Sequence, residues 1–175
     1  MVWSVGHGTR PVEELLAVLK EAGIGVLADV RSVPGSRRHP QFGRSALTSS
    51  LAKAGIEYLH LGGLGGRRDA VPDSLHIALK VDAFRGYADH MASAEFAAEY
   101  TRLEGFAREK ATAFMCAETL WSQCHRRMLS DRLTVDGWSV VHLLAPGTSE
   151  PHRLWDVARV VDGRLVYDGG ALPLR

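Results

Sequence analysis

Short apolar runs alternate along this chain with segments whose apolar residues recur every three or four positions. The runs at residues 2–5, 26–30, 56–61, 112–116 and 138–144 predict buried β-strands. Between the first two, Val12, Leu15 and Leu19 share one helical face, and Gly23 ends that helix. Similar spacing predicts helices at Leu47 to Ala54, over about 82–110 and over about 121–135. Loops are predicted at 32–43 and 62–72, where Gly and Pro are frequent.

Strand and helix therefore alternate five times, which is typical of an α/β protein. We predict a mainly parallel five-stranded sheet with helices on both faces, in a Rossmann-like three-layer domain. Residues 157–167 predict a β-hairpin around Asp162-Gly163, so residues 147–175 form a tail or hairpin extension. The 175 residues are expected to form one domain, 1–175.

The composition excludes several classes of protein. Hydrophobic residues make up 46% and charged residues 23%, which excludes a disordered or collagen-like chain. There is no long apolar run and no basic leader, so neither a membrane helix nor a signal peptide is predicted. Two cysteines do not make a secreted disulfide framework, and a cytoplasmic location is expected. The oligomeric state stays open.

The distribution of charge is more informative than its sum. A net charge of +1 does not indicate a general nucleic-acid binder. Residues 31–68 hold six Arg and one Lys against one Glu, a local charge of +6. Residues 69–109 hold eight acids against four bases. This segregation predicts one basic surface or pocket for a small anionic or nucleotide-like ligand. Nucleic acid is less favoured, because aromatic residues are only 7% of the chain.

Polar side chains cluster where the predicted strands end. Ligands of open α/β sheets bind beyond the carboxyl ends of the strands. The first strand ends at His7, the second at Arg31, the third at the Gly62–Arg68 loop, and the fourth at Cys116 and Glu118. We therefore expect His7, Arg31, Glu118 and at least one of Cys116 and His125 to line one cleft.

The candidate catalytic residues are Cys116, Glu118, Cys124 and His125. A thiol at a strand end, facing arginines and the next helix N-terminus, is expected to have a lowered pKa. Cys116 is thus a candidate nucleophile, with Glu118 and His125 handling protons. Alternatively, Cys116 is a core residue and His125 a helix cap. Adjacent helical residues point about 100° apart, so Cys124 and His125 are not expected to face one small ligand together.

The candidate anion-binding residues are His7, Arg31, Gly62, Gly63, Arg67 and Arg126. Glycine amides beside arginines can form an anion nest. Alternatively, the glycines are present because the loop backbone requires positive φ angles. Arg31 can likewise form a structural ion pair with Asp29 or Glu118. The Cys and His spacing matches no standard zinc pattern, so neither a metal ligand nor a cofactor is predicted. A redox disulfide between Cys116 and Cys124 requires that they face each other.

Several ordered motifs carry a family resemblance: Ser4-Val5-Gly6-His7-Gly8-Thr9, Leu27-Ala28-Asp29-Val30-Arg31-Ser32-Val33-Pro34, Leu61-Gly62-Gly63-Leu64-Gly65-Gly66-Arg67, Phe84-Arg85-Gly86-Tyr87-Ala88, and Met115-Cys116-Ala117-Glu118 with Cys124-His125-Arg126. In this order they resemble the bacterial family called domain of unknown function 488, over about residues 3–143. The resemblance implies a small cytosolic α/β protein with a site around Cys116, Glu118, Cys124, His125 and Arg126, and no settled activity.

The leading hypothesis is an enzyme that uses the Cys116 thiolate on an anionic, phosphate-bearing or nucleotide-like substrate. One alternative is a non-catalytic nucleotide or nucleic-acid binding module that uses the same arginines. The other is a metal-dependent hydrolase.

Overall fold

The computed structural model describes residues 1–35 and 38–171. The predicted 32–43 loop contains residues 36 and 37, and the predicted tail contains 172–175; these lie outside the described residues. The helices and strands follow in this order: β1 Val2–Gly6, α1 Val12–Glu21, β2 Val26–Asp29, α2 Arg44–Lys53, β3 Glu57–His60, α3 Asp82–His90, α4 Ala94–Glu109, β4 Thr112–Cys116, α5 Arg126–Val135, β5 Val140–Ala145, β6 Thr148–Pro151, β7 Ala158–Val161 and β8 Arg164–Tyr167. Three single 3₁₀ turns, at Pro40–Phe42, Gly62–Leu64 and Trp121–Gln123, lie in the connections.

The main sheet has six strands in the order β3-β2-β4-β1-β5-β6. Its first five strands are parallel, as predicted, but β6 pairs antiparallel with β5. The prediction of five strands is therefore wrong by one. Pro146 and Gly147, with φ +71° at the glycine, turn the chain back onto β5. Because Thr148–Pro151 is short, polar and largely exposed, it has no apolar alternation to reveal it.

Helices cover both faces of the sheet, as predicted, and the finer Rossmann-like assignment stays a prediction. Successive strand residues point to opposite faces. Leu27 and Met115 pack with the apolar residues of α1 and α2. Ala28 and Phe114 pack on the other face with apolar residues of α3, α4 and α5. The central strands β1, β2 and β4 are buried on both sides, which explains their continuous apolar runs.

Two predicted helices have different limits in the structure. The 82–110 segment forms two helices, because Ser93 starts a new one: its hydroxyl accepts from the Phe96 N–H at 3.1 Å. The 121–135 segment begins with a 3₁₀ turn at Trp121–Gln123, and α5 starts only at Arg126. Cys124 and His125 therefore precede the helix instead of lying within it.

The predicted C-terminal hairpin is present as β7 and β8, joined at Asp162-Gly163 with φ of 49° and 74°. Among the described residues, no helix is both long and apolar enough to cross a membrane.

Candidate functional site

A cleft of about 960 Å³ opens at the carboxyl edge of the parallel strands. The side chains that were predicted to share one cleft all line it: His7, Arg31, Cys116, Glu118 and His125. The connecting loops add further lining residues: Thr9, Ser32, Arg38, His39, Gly66, Arg67, Thr119, Gln123 and Cys124.

The three central strands bring these groups together. In the parallel register Gly6 of β1 lies beside Cys116 of β4, and the His7 N–H donates to the Cys116 carbonyl at 3.1 Å. On the other side of β4, the Val30 N–H donates to the Met115 carbonyl at 2.9 Å. Because β2, β4 and β1 are neighbours and end at one level, Arg31, Cys116 and His7 leave the sheet side by side.

Two thiols and one imidazole meet at the inner end of the cleft. His125 Nδ1 lies 3.8 Å from Cys116 Sγ and 3.5 Å from Cys124 Sγ. All three atoms lie within 4.8 Å of one another, and each of the three residues is more than nine-tenths buried. We call this set the Cys–His cluster.

The prediction that Cys124 and His125 cannot face the same point is wrong. That prediction placed both residues on a helix. Cys124 is instead extended, with φ −129° and ψ 155°, and His125 is the cap residue that precedes α5. Their side chains consequently converge.

The prediction of a low pKa for Cys116 is also wrong, because the surroundings of this thiol raise its pKa well above the ordinary value. The pKa of Cys124 falls to about 3, since the Cys116 thiol hydrogen-bonds to it and His125 and Arg126 add positive charge, against the opposing effect of burial. The same hydrogen bond raises the pKa of Cys116, and burial adds to the rise. The two thiols share one negative charge, and these two directions favour Cys124 as the thiol that carries it.

Arg126 lies beneath the cleft and does not line it. It is 1% exposed and donates to the carbonyls of Glu118 and Thr119, at 2.5 and 3.2 Å, and to the Ser4 hydroxyl at 3.2 Å. Arg126 therefore holds the backbone of the loop after β4. The Glu118 carboxylate itself is exposed at the rim of the cleft.

Arg31 forms the structural ion pair that the sequence left as an alternative, and its partner is Asp29. Nε and Nη2 donate to the two Asp29 oxygens at 2.8 and 2.6 Å. Nη2 also donates to the Phe42 carbonyl at 2.8 Å, and Nη1 to His7 Nε2 at 3.2 Å. Tyr58 donates to the same Asp29 carboxylate at 2.9 Å, so the buried charges compensate each other within this group.

His7 is a neutral acceptor in this arrangement. Arg31 can only donate, so His7 Nε2 accepts, and His7 Nδ1 donates to the Gly8 carbonyl at 2.9 Å. Burial lowers the pKa of His7 to about 4, which agrees with that tautomer. With both ring nitrogens engaged, His7 orients Arg31 and has no N–H left for an anion.

Only the second half of the glycine loop, 62–68, lines the cleft. Gly62 and Gly63 lie in a 3₁₀ turn outside the cleft wall, where the Gly63 carbonyl contacts His90 Nε2 at 2.7 Å. Gly66 and Arg67 do line the cleft. None of these glycines has a positive φ. Their smallness matters instead: a Cβ on Gly66 would lie 2.3 Å from His125 Nδ1.

The model of the family described as "Domain of unknown function DUF488" matches residues 11–133. The chain belongs to this family. The match includes every residue of the Cys–His cluster, Arg31 and the glycine loop, and it confirms the resemblance inferred from the ordered motifs. Comparisons with curated proteins and with solved structures found no match.

Strand β5 of this DUF488 protein also carries a histidine, but it does not reach the cleft. His142 is fully buried, stacks on Trp121 at 3.9 Å, and contacts His152 at 3.0 Å. His152 in turn contacts Asp131 at 2.9 Å, and Asp131 accepts from Tyr167 at 3.0 Å. This buried chain joins the C-terminal extension to α5 and to the turn that precedes Cys124.

Sequence reasoning missed the supporting residues Phe42 and Tyr58, whose positions along the chain carry no signal that links them to Arg31. Asp29 was expected as one of two possible ion-pair partners of Arg31, and it is the partner.

Proposed function

We propose that this DUF488 protein is an enzyme that forms a transient covalent bond between Cys124 and a small anionic substrate. The observation that carries the proposal is the convergence of two thiols and one imidazole at the inner end of a cleft whose rim bears guanidinium groups. The two free thiols suit a reducing compartment such as the cytoplasm.

We propose a different role for each member of the cluster. Cys124 Sγ attacks an electrophilic atom of the substrate, so the Sγ–substrate bond forms and the bond to the leaving group breaks. The Cys116 thiol, whose sulfur lies within 4.8 Å of Cys124 Sγ, stabilises the thiolate before the attack. His125, which lies against both sulfurs, supplies the proton that the leaving group takes. Water or a second substrate then releases the group from Cys124, with Glu118 at the rim as its base.

The charge lining the cleft favours an anion. The charge of Arg31 is compensated by Asp29, but Arg38 and Arg67 are exposed on the cleft wall, against the single carboxylate of Glu118. Among residues 1–35 and 38–171, Arg67 has no carboxylate partner, whereas its neighbour Arg68 pairs with Glu95 at 3.1 Å. Arg67 is therefore the first candidate to hold the anionic group.

The size of the cleft refines the substrate class. At about 960 Å³ it exceeds the space that a bare phosphate needs and is comparable to sites for drug-sized ligands, which are about 300–1,000 Å³. We propose a phosphate-bearing or nucleotide-like substrate.

The test compares an anionic and a neutral alkylating agent of the same size on chelator-treated protein. The rate of reaction with iodoacetate is divided by the rate with iodoacetamide, and glutathione gives the reference ratio. We expect Cys124 to be alkylated first, with a ratio above the reference. Arg67→Ala should lower that ratio about 1.5- to 5-fold, the effect of one surface charge worth 0.2–1 kcal/mol.

Arg102→Ala is the matched control, because Arg102 is an exposed arginine on α4 that pairs with Glu99 outside the cleft. It should leave the ratio unchanged, and phosphate should slow alkylation of the wild type more than chloride does at equal ionic strength. If Cys124 does not react while phosphate still raises Tm, the cleft is a non-catalytic binding site. A ratio equal to that of glutathione contradicts the anionic substrate.

A further inference from the structure

The two sulfur–nitrogen distances of the Cys–His cluster match those around a tetrahedral metal ion. Zinc bonds of about 2.3 Å to sulfur and about 2.0–2.1 Å to nitrogen imply edges of about 3.6 Å from sulfur to nitrogen and about 3.8 Å between sulfurs. The measured distances from His125 Nδ1 are 3.5 Å to Cys124 Sγ and 3.8 Å to Cys116 Sγ, and the sulfurs lie within 4.8 Å of each other.

We propose that Cys116 Sγ, Cys124 Sγ and His125 Nδ1 form a three-ligand site for Zn²⁺ or a similar soft divalent cation. Two sulfurs and an imidazole select such an ion over Mg²⁺ or Ca²⁺, which require oxygen ligands. The site goes beyond the proposed function and does not rest on it, since it needs only these three atoms. It uses the same Cys124 sulfur, so a chain that holds the ion cannot carry out the covalent step at Cys124.

The surroundings of the cluster fix the position of the His125 ring. Gly66 packs closely against it, since a Cβ on Gly66 would lie 2.3 Å from Nδ1. Coordination through Nδ1 places the proton of the neutral ring on Nε2. The centroid of the Tyr87 ring lies 5.0 Å from that of His125. Arg126 holds the loop between the two cysteines through two of its carbonyls, so the ligands are positioned before any ion arrives.

Three protein ligands leave the fourth tetrahedral position open. All three ligand residues line the cleft, so that position faces the space where we propose the anion binds. Three-ligand sites of this kind retain a water or a substrate oxygen at the fourth position. A bound ion would also engage both sulfurs, and so would protect them from alkylation.

The test is titration of chelator-treated protein with Co²⁺, which reports thiolate coordination by charge-transfer absorption and tetrahedral geometry by its visible bands. We expect one Co²⁺ per chain, displaced by Zn²⁺. Cys116→Ser, Cys124→Ser and His125→Gln should each weaken binding at least about tenfold. His7→Gln is the matched control, because His7 is a buried histidine of the same cleft outside the ligand set, and it should bind Co²⁺ as the wild type does.

A second measurement needs no variant: one equivalent of Zn²⁺ should slow alkylation of both cysteines in the wild type. Absence of charge-transfer absorption, unchanged affinity in His125→Gln, or thiols that stay reactive with Zn²⁺ would each overturn the site. The alkylation ratio is measured without metal and the titration without phosphate, so failure of one proposal is distinguishable from failure of the other.

Discussion

Replacing Gly66 with alanine tests whether the close packing around His125 is as tight as the structure shows. The added Cβ would lie 2.3 Å from His125 Nδ1, about 1 Å inside the 3.4–4 Å of ordinary contact. The backbone of Gly66 does not have a positive φ, so the change is purely steric. The ring can yield only by moving from the two sulfurs or into Tyr87.

Overpacking of this kind costs about 1–3 kcal/mol, and we expect Gly66→Ala to lower the free energy of unfolding by that amount. Gly105→Ala is the matched control. Gly105 lies within α4 with nothing within 4 Å of the added methyl group, so that alanine should stabilise the protein by about 0.5–1 kcal/mol.

The assay is urea unfolding followed by circular dichroism, with the two variants measured beside the wild type. A second readout follows the site: displacement of His125 should change the alkylation rate of Cys124 in Gly66→Ala and leave it unchanged in Gly105→Ala. The reasoning fails if Gly66→Ala matches the wild type in both stability and alkylation rate, because the ring would then have room that the structure does not show.

Three further predictions concern buried charge. Arg31→Ala leaves the Asp29 carboxylate, which is 0% exposed, without its ion-pair partner, and should lower the free energy of urea unfolding by about 3–5 kcal/mol. Adding Asp29→Asn should recover at least half of that loss, and no recovery would refute the ion pair. Arg126→Met should cost about 2–4 kcal/mol, because three oxygen atoms lose a charged donor; a loss below about 1 kcal/mol would mean that water replaces it. Burial lowers the pKa of His142 to about 3. As the pH drops below about 6.5, the unfolded chain therefore takes up a proton at His142 that the folded chain does not. The free energy of unfolding should fall as a result, by up to about 3 kcal/mol at pH 4. His142→Gln should flatten that part of the pH profile relative to the wild type, and parallel profiles would assign the acid sensitivity to other groups.

Local patterns were enough to predict the strands and the edge at which the site lies. The apolar runs mark the central strands β1, β2 and β4 because these are buried on both faces, and a hydrophobic run needs no knowledge of its partner. The edge strand β3 is only partly buried, and the buried residues Ile56 and Leu61 on either side of it complete its apolar run. Placement of His7, Arg31 and Cys116 at one edge follows in the same way, since parallel strands end together. Strand β6 escaped prediction because its residues are polar, and only its pairing with β5 defines it as a strand.

The amino-acid sequence by itself determined the family, the α/β class and the edge of the sheet at which the cleft lies. Only the tertiary structure decided what the residues at that edge do. Cys116 and Cys124 lie on different elements, and the 3₁₀ turn between them directs Cys124 and His125 at the same point. Which thiol carries the charge depends on that contact, as the partner of Arg31 depends on the neighbouring side chains of β2. Hydrogen bonds and charge act over a few ångströms in space, whereas sequence patterns report only distance along the chain.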